Sequence, residues 1–303
     1  MCRPFLLPLS QAILPQEFER LVVIRIFLLV ALAMCAFAAN SILNRIGVAS
    51  YGMDPMDFAA IRVAAGACML CALVIWRGKA LPKVRSWRRL AGAMALAGYM
   101  VGFSWAYLSL DAGLGALILF GVLQVVIFGW AVGQGDSIPL LRWAGAGVAL
   151  VGLVALLWPT GVQAVPFGGA LAMVFAGIAW AIYTLLGKSE PDALAATAVN
   201  FVLCLPFVLF ILPLSDSGSL SALGIVVAVI AGAVTSGLGY ALWYQVLPHL
   251  PATLAGIAQL SVPVLTVIAG VLLLEEPLSG RLVIAGALVL GGIFISVIAR
   301  REV

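Results

Sequence analysis

The sequence predicts an all-α polytopic membrane protein with ten transmembrane helices, arranged as two inverted five-helix repeats. Of its 303 residues, 64% are hydrophobic and only 9% are charged, whereas a soluble domain has about 25% charged residues. Apolar runs of spanning length follow one another along the chain, and segments of the first half recur in the second. Soluble enzymes, nucleic-acid-binding proteins and disordered scaffolds are excluded, because a soluble protein of this size could not hide so much apolar surface from water.

Ten apolar runs provide the predicted helices. A helix needs about 20 apolar residues to span the hydrocarbon core, and backbone polar groups inside that core must be paired within the segment. Each run is therefore expected to be a helix rather than a strand. The runs lie at 26–46, 56–76, 89–110, 114–133, 142–159, 167–187, 193–213, 219–244, 252–274 and 281–299. Residues 1–25, which contain three prolines, are interpreted as an N-terminal tail that does not span.

Two segments of the first half resemble segments of the second. The aromatic pattern of 103–110 recurs at 240–247, and the glycine-rich stretch of 144–152 recurs at 285–292. These matches divide the chain into five-helix repeats at 26–159 and 167–299. An odd number of spans means that the second repeat enters from the opposite side of the membrane. Inverted repeats are typical of secondary transporters, which bind substrate between the halves near the midplane.

The first run also has features of a cleaved export signal. Arg20 and Arg25 precede it, and the small residues of 36–38 imitate a cleavage site. Because the sixth run matches the first run, a retained helix is the favoured interpretation.

Charge placement predicts the orientation in the membrane. The loop between the second and third runs carries six basic residues, so it is expected to be cytoplasmic. They are Arg77, Lys79, Lys83, Arg85, Arg88 and Arg89. The corresponding loop between the seventh and eighth runs has no Lys or Arg, as an external loop should. Both chain termini are then predicted to be cytoplasmic.

Motifs of catalysis and metal binding are weak in this chain. Cys68 and Cys71 form a CxxC pair inside an apolar run, and the single histidine, His249, lies in a short proline-flanked loop. Gly187-Lys188-Ser189 resembles the end of a P-loop, but Ile182 stands where the first glycine would be. We expect no enzyme activity, catalytic residues, metal or cofactor, and no nucleic-acid partner.

Aromatic and amide side chains that share helix faces are the candidate substrate-binding residues. Phenols and amides are costly against lipid unless they find partners, so they are expected to face the interior. Apolar walls with sparse hydrogen bonding suit a small amphipathic, aromatic solute. A belt at the lipid headgroups is the alternative for the aromatics near helix ends. The candidates are Asn40, Asn44, Tyr99, Phe103, Tyr107, Gln124, Trp180, Tyr183, Tyr240, Trp243, Tyr244 and Gln259.

Few charges lie within the runs. Arg62 lies two turns into the second run, and its favoured interpretation is a structural pair with a carboxylate or with helix-end carbonyls. Glu275 and Glu276 follow the ninth run, where they are expected to cap the tenth helix or to anchor an external loop. No Asp or Glu lies deep inside a run. Since proton-coupled carriers usually need such a group, the expected mechanism is uniport.

These residues resemble the EamA branch of the drug/metabolite transporter superfamily. The resemblance rests on 274–279 with the glycine-rich last helix, on 56–62, and on 175–188 with its Trp180 and Tyr183. It implies ten helices in inverted repeats and the export of small metabolites. The chain is most similar to the YddG-type aromatic amino acid exporters of the bacterial inner membrane, and this resemblance adds Phe120 to the cavity residues. The first repeat departs from the pattern at 135–137.

The sequence thus predicts an exporter of aromatic and other neutral amino acids that works by alternating access, as a multi-pass protein of the inner membrane. Its expected partners are a small-molecule substrate and membrane lipid, with a monomer as the assembly. A carrier of drugs or nucleotide sugars is the alternative within transport. A membrane-embedded enzyme acting on lipid precursors would need clustered polar residues at one interface, which the sequence does not contain.

Overall fold

Ten helices make up the regular structure of the described residues. The computed structural model describes residues 16–79, 81, 86–135, 138–158, 165–187, 190–212, 221–250 and 258–298. Within these ranges the longer regular elements are all helical. The helices are α1 (Gln16–Arg45), α2 (Pro55–Trp76), α3 (Trp87–Ala106), α4 (Ala112–Gly133), α5 (Leu140–Leu157), α6 (Phe167–Gly187), α7 (Ala193–Ile211), α8 (Ala222–Val246 in three segments), α9 (Ser261–Leu274) and α10 (Gly280–Ile298).

The helices correspond one to one with the ten predicted apolar runs. Eight of them are long and apolar enough to cross a membrane, which supports a polytopic membrane protein. The main difference lies at the start, where α1 begins at Gln16 rather than at residue 26. The prolines of the predicted tail all precede Gln16, so the segment 16–25 contains no residue that would break a helix. Residues 252–257 of the ninth run lie outside the described ranges.

Two helices contain wider turns. α1 continues into a π-helical turn at Ile46–Ser50, and α8 is α-helical at Ala222–Ile230, π-helical at Ala231–Leu238 and α-helical again at Gly239–Val246. The wide turn of α8 lies against α2, with Gly232 directly over the backbone carbonyl of Arg62. Only glycine allows that approach, because a Cβ there would overlap the carbonyl oxygen.

Packing places α4 near the centre of the bundle and α5 and α10 at its periphery, as the buried shares of these spans show. The principal contacts are α5 with α10, α3 with α6, α2 with α7, α2 with α8, α3 with α7, α4 with α6, α1 with α8, α1 with α9, and α4 with α9. The glycine-rich segments that resemble each other in sequence also face each other. A Cβ on Gly145 would lie 2.6 Å from the carbonyl oxygen of Gly292, so α5 and α10 are in backbone contact.

Candidate functional site

A polar-lined cavity lies at one end of the bundle. It has a volume of about 250 Å³ and lies among α4, α5, α6 and α10, with Leu247 and Gln259 completing the wall. Its polar groups are Gln124, Arg142, Thr184, Gln259 and Ser296. These residues belong to the later turns of α4, α6 and α10 and to the beginnings of α5 and α9, which is the end predicted to face the cytoplasm.

The sparse polar groups of the cavity are arranged on an apolar wall. Ser296 Oγ donates a hydrogen bond to the Arg142 carbonyl at 3.1 Å, and the Arg142 guanidinium lies 5.7 Å from the centre of the Phe128 ring. Gln124 and Gln259, both predicted site residues, are half-buried here. The cavity can therefore offer amide and hydroxyl groups to a solute together with apolar contact.

The opposite end of the bundle contains a polar cluster that we call the Glu276 clasp, formed by Arg45, Asp111, Ala112 and Glu276. Both carboxylate oxygens of Glu276 accept from the backbone N–H of Ala112, at 2.8 and 2.9 Å. Arg45 lies 3.7 Å from Glu276 and 3.5 Å from Asp111. It also donates to the Tyr107 carbonyl at 2.9 Å. The clasp therefore joins the end of α1, the start of α4 and the segment after α9.

The clasp agrees with one of the two expectations for Glu276. The carboxylate does not cap the tenth helix, but it anchors the segment after α9 to the start of α4, in the other half of the chain. Ser279 takes the expected role, because its hydroxyl accepts from Leu282 N at 3.1 Å at the start of α10. Burial raises the pKa of Glu276 above its ordinary value of 4.5, although the Ala112 N–H and the Arg45 charge act in the opposite direction.

The predicted aromatic residues of α3, α6 and α8 form a continuous cluster. The ring of Trp180 is the centre, with ring centroids 4.8 Å from Tyr99, 5.4 Å from Tyr183 and 5.6 Å from Tyr240. Phe103 extends the cluster from Tyr99 at 5.2 Å. Further contacts join Phe103 to Tyr107 and Tyr240 to Tyr244. Helices from both halves thus contribute to one aromatic core, which we call the Trp180 cluster.

Other predicted site residues lie apart from this cluster. Trp243 is buried against Phe37 of α1, with ring centroids 6.2 Å apart. Asn44 accepts from Ser104 Oγ at 2.8 Å, and Asn40 accepts from Thr235 Oγ1 at 3.1 Å. Both amides therefore join α1 to neighbouring helices. Phe120 is buried on α4.

Arg62 is fully buried, and its surroundings differ from the predicted structural pair. Its Nε donates to Ser236 Oγ at 3.2 Å and its Nη2 to Tyr99 Oη at 3.3 Å. Its Nη1 has no hydrogen-bond partner among the described residues. Among the described residues, ion pairs are formed by Arg45, Lys79 and Arg89 instead.

Sequence reasoning missed the hydroxyl residues of the site. Ser104, Thr235 and Ser236 are buried and pair with predicted residues, and Thr184 and Ser296 line the cavity. Single hydroxyls in apolar runs carry little sequence signal, since Ser and Thr can satisfy themselves on the carbonyl one turn back, as Thr184 does with Trp180 at 2.7 Å. Among the described residues, no three His, Cys, Asp or Glu side chains are grouped closely enough to hold a metal ion.

The fold and the site define a multi-pass membrane protein with a small polar-lined cavity. Residues 167–298 match the EamA-like transporter family. An uncharacterised protein of Pseudomonas aeruginosa, PA1977, is 45% identical over 271 residues, covering 89% of this chain and 93% of the relative. An uncharacterised transporter of Archaeoglobus fulgidus is 30% identical over 262 residues, covering 81% of this chain and 89% of the relative.

A crystal structure with 20% sequence identity has the same fold, with a TM-score of 0.65 over 91% of this chain and 98% of the other. Together with the matches in sequence, this establishes the class. The chain belongs to the EamA-like transporter family. Membership of this family indicates a membrane transporter of small metabolites.

Proposed function

We propose that this protein exports aromatic and other neutral amino acids by alternating access, as an uncoupled uniporter of a bacterial inner membrane. The observation that carries the proposal is the difference between the two ends of the bundle. One end contains an open cavity, whereas the other is closed by the Glu276 clasp. A transporter that exposes its site to one side at a time needs two such ends.

The helix contacts support two five-helix halves, 26–159 and 167–299, related as inverted repeats. In inverted repeats, each of the first five helices corresponds to the helix five places later, so that α1 corresponds to α6 and α2 to α7. Under this correspondence the α3–α6 contact becomes α8–α1, the α4–α6 contact becomes α9–α1, and the α2–α8 contact becomes α7–α3. The contacts α5–α10, α2–α7 and α4–α9 map onto themselves. All of these contacts occur among the principal ones. Related halves of this kind can exchange an open end for a closed one by rocking against each other.

The size and lining of the cavity favour a small, amphipathic substrate. Its volume of about 250 Å³ is near the lower end of the range for small-molecule sites, about 300–1,000 Å³, which suits a solute of amino-acid size. Amide and hydroxyl groups fix the orientation of a bound solute, and apolar walls bind its side chain.

The Trp180 cluster supports aromatic substrates. Trp180 is only partly buried, and Thr184, one turn further along the same face of α6, lines the cavity. The cluster therefore lies directly beyond the cavity wall. Aromatic rings gain about 0.5–1.5 kcal/mol from stacking beyond their buried area, so an aromatic solute is favoured over an aliphatic one of the same size.

The residues of the cavity support uniport. The described residues that line it include no Asp or Glu, so this wall holds no carboxylate to carry a proton through the pathway. Its cation, Arg142, lies at the end predicted to face the cytoplasm, as the positive-inside rule favours.

A substrate screen in proteoliposomes tests the proposal. Purified protein is reconstituted, and the movement of labelled phenylalanine, tyrosine, tryptophan, leucine, a nucleotide sugar and a cationic drug is measured without a pH gradient. We expect downhill movement of the aromatic amino acids to be fastest. Tyr99→Ala and Trp180→Ala should each reduce it at least tenfold.

Matched controls are Tyr51→Ala and Trp105→Ala, since both side chains are exposed aromatics away from the Trp180 cluster. They should transport at the wild-type rate. Transport restricted to the drug or the nucleotide sugar would contradict amino-acid export. Uphill movement driven by acidifying one side would contradict uniport, and unchanged transport in Tyr99→Ala and Trp180→Ala would contradict the site.

A further inference from the structure

We propose that Arg62 is the anion-binding residue of the transport site, and that it pairs with a carboxylate of the transported solute when the site is occluded. This inference rests on the proposed function and names the group by which the substrate is recognised. It is carried by the charge of Arg62, by its incomplete hydrogen bonding and by its position beside the Trp180 cluster.

Among the residues that the structure describes, no carboxylate forms an ion pair with the buried charge of Arg62. The side chain has no exposed surface, and a guanidinium stays protonated in proteins. Among the described residues, the groups close enough to feel its charge include the phenols of Tyr107 and Tyr240 and the thiol of Cys204, which are neutral at physiological pH. In this part of the chain Arg62 is therefore a cation beside neutral groups.

The acidic residue on the same helix faces another direction. Asp57 lies five residues before Arg62, which corresponds to about 140° around the helix and about 7.5 Å along it. The described groups that contact the guanidinium are the hydroxyls of Ser236 and Tyr99 and the rings of Tyr99 and Phe103. The guanidinium carbon lies 5.5 Å from the Tyr99 ring centre and 5.2 Å from that of Phe103.

These contacts hold the guanidinium but do not neutralise it. Hydroxyl oxygens and ring faces attract a cation less strongly than a carboxylate does, and within the described part of the chain the Nη1 group lacks even a neutral partner. A buried polar group in this condition needs an explanation. A site that binds an anion only during part of a transport cycle is expected to contain such an unneutralised guanidinium when it is empty. A permanent carboxylate partner would compete with the substrate.

Arg62 is separated from the cavity by the rings of the Trp180 cluster. Thr184 lines the cavity, Trp180 lies one turn before it on α6, Tyr99 contacts Trp180, and Arg62 donates to the Tyr99 hydroxyl. A change in the position of Trp180 would thus open a path from the cavity to the guanidinium. A solute with its carboxylate on Arg62 would place its side chain among these rings.

The π-helical segment of α8 gives the site a means to adjust. Ser236 lies in this segment, and Gly232 of the same segment contacts the backbone of Arg62. Wide turns of this kind occur frequently at functional sites. A shift of the segment would release the Ser236 hydroxyl from Nε and present two N–H groups of the fork to a carboxylate.

Benzoate and its neutral isostere benzamide test the inference without assuming which amino acid is carried. Thermal unfolding of the purified full-length protein is measured against increasing concentrations of each compound at pH 7. We expect benzoate to raise the unfolding midpoint in a saturable way and benzamide to have no effect. Arg62→Gln should abolish the benzoate shift, and Arg62→Lys should raise the half-saturating concentration at least tenfold.

The control variant is Arg77→Gln, in the exposed loop after α2, which should bind benzoate as the wild type does. Equal benzoate shifts in Arg62→Gln and the wild type, or no benzoate shift in the wild type, would overturn the inference. If Arg62→Gln does not fold, wild-type protein is treated with phenylglyoxal, and modification of Arg62 is followed by mass spectrometry. Protection by benzoate but not by benzamide is expected, and equal modification under both conditions would refute the assignment.

The outcomes also separate this inference from the proposed function. If benzoate binds through Arg62 but no amino acid moves in the proteoliposome screen, amino-acid export is wrong and the anion site stands. If phenylalanine is transported equally by Arg62→Gln and the wild type, the anion site is wrong and amino-acid export stands.

Discussion

Glu276, in the segment after α9, caps α4 by accepting from the backbone N–H of Ala112 with both carboxylate oxygens, at 2.8 and 2.9 Å. A negative charge at a helix N-terminus interacts favourably with the unpaired N–H groups and with the helix dipole. The bond joins the two halves of the chain at the closed end of the bundle. Breaking it is therefore expected to be part of opening that end.

Removing the cap should expose the closed end. Glu276→Ala leaves the Ala112 N–H without its acceptor, at a cost of about 1 kcal/mol. In a background without native cysteines, Leu110→Cys reports the opening, because Leu110 is fully buried beside the clasp. A membrane-impermeant thiol reagent should label it several times faster in Glu276→Ala than with Glu276 intact.

Glu275→Ala is the matched control for that experiment, since the Glu275 side chain is exposed and takes no part in the clasp. Its labelling rate should equal that of the parent. Equal rates in Glu276→Ala and Glu275→Ala would mean that the cap does not hold this end closed.

Acidification should favour the closed end. Burial raises the pKa of Glu276 above 4.5 and outweighs the opposing effects of the Ala112 N–H and the Arg45 charge, so the closed form binds the proton more tightly than a form in which this carboxyl is open to water. The stabilisation is then greatest below the ordinary pKa and is lost as the pH rises through the raised pKa. The labelling of Leu110→Cys, divided by that of the exposed Ser109→Cys in the same buffer, should decrease as the pH is lowered from 7 towards the ordinary carboxyl pKa of 4.5.

Glu276→Gln tests whether this response belongs to Glu276. The amide oxygen still accepts from Ala112 N, but the side chain no longer titrates. The normalised labelling rate should become independent of pH over the same range, and a pH response as large as that of the parent would assign it to another group.

The contact between α5 and α10 should tolerate no added atom at Gly145. A Cβ there would lie 2.6 Å from the Gly292 carbonyl oxygen, so the two backbones would have to separate. Overpacking of this kind costs about 1–3 kcal/mol. Gly145→Ala should lower the thermal unfolding midpoint of the purified protein by several degrees.

Gly147→Ala provides the comparison on the same helix, because a Cβ at Gly147 meets no atom within 4 Å. Alanine is the better helix former, so this variant should be neutral or slightly stabilising. The contact is less close than described if both variants have the same midpoint.

Filling the cavity should stop transport without unfolding the protein. Ala146 lines the cavity, and the Ala146→Trp side chain would occupy most of its 250 Å³. Ala144→Trp, on the exposed face of the same helix, is the control. Proteoliposome uptake of phenylalanine should fall at least tenfold in Ala146→Trp alone, with both unfolding midpoints near the wild-type value. Normal uptake by Ala146→Trp would place the pathway elsewhere.

Part of the candidate site could be predicted from sequence. Tyr99, Trp180 and Tyr240 were singled out because aromatic side chains recur on helix faces, and these faces do meet in one cluster. Asn40 and Asn44 are amides on one face of the first run and are expected to face the interior, but each pairs with a hydroxyl of a neighbouring helix. Which amides face the cavity and which join helices depends on helix rotation, and a single run of sequence does not report that rotation.

The sequence by itself determined that the protein lies in a lipid bilayer, and it determined the number of helices and their approximate limits. The hydrocarbon core requires internally paired backbone and long apolar segments. These are local requirements that each segment meets alone. Only the tertiary structure decided that Glu276 caps α4 rather than α10, that Arg62 is buried without an ion-pair partner among the described residues, and that one end of the bundle is open. Those properties depend on which helices meet and at what register, since pairs such as Arg62 and Ser236 lie far apart along the chain.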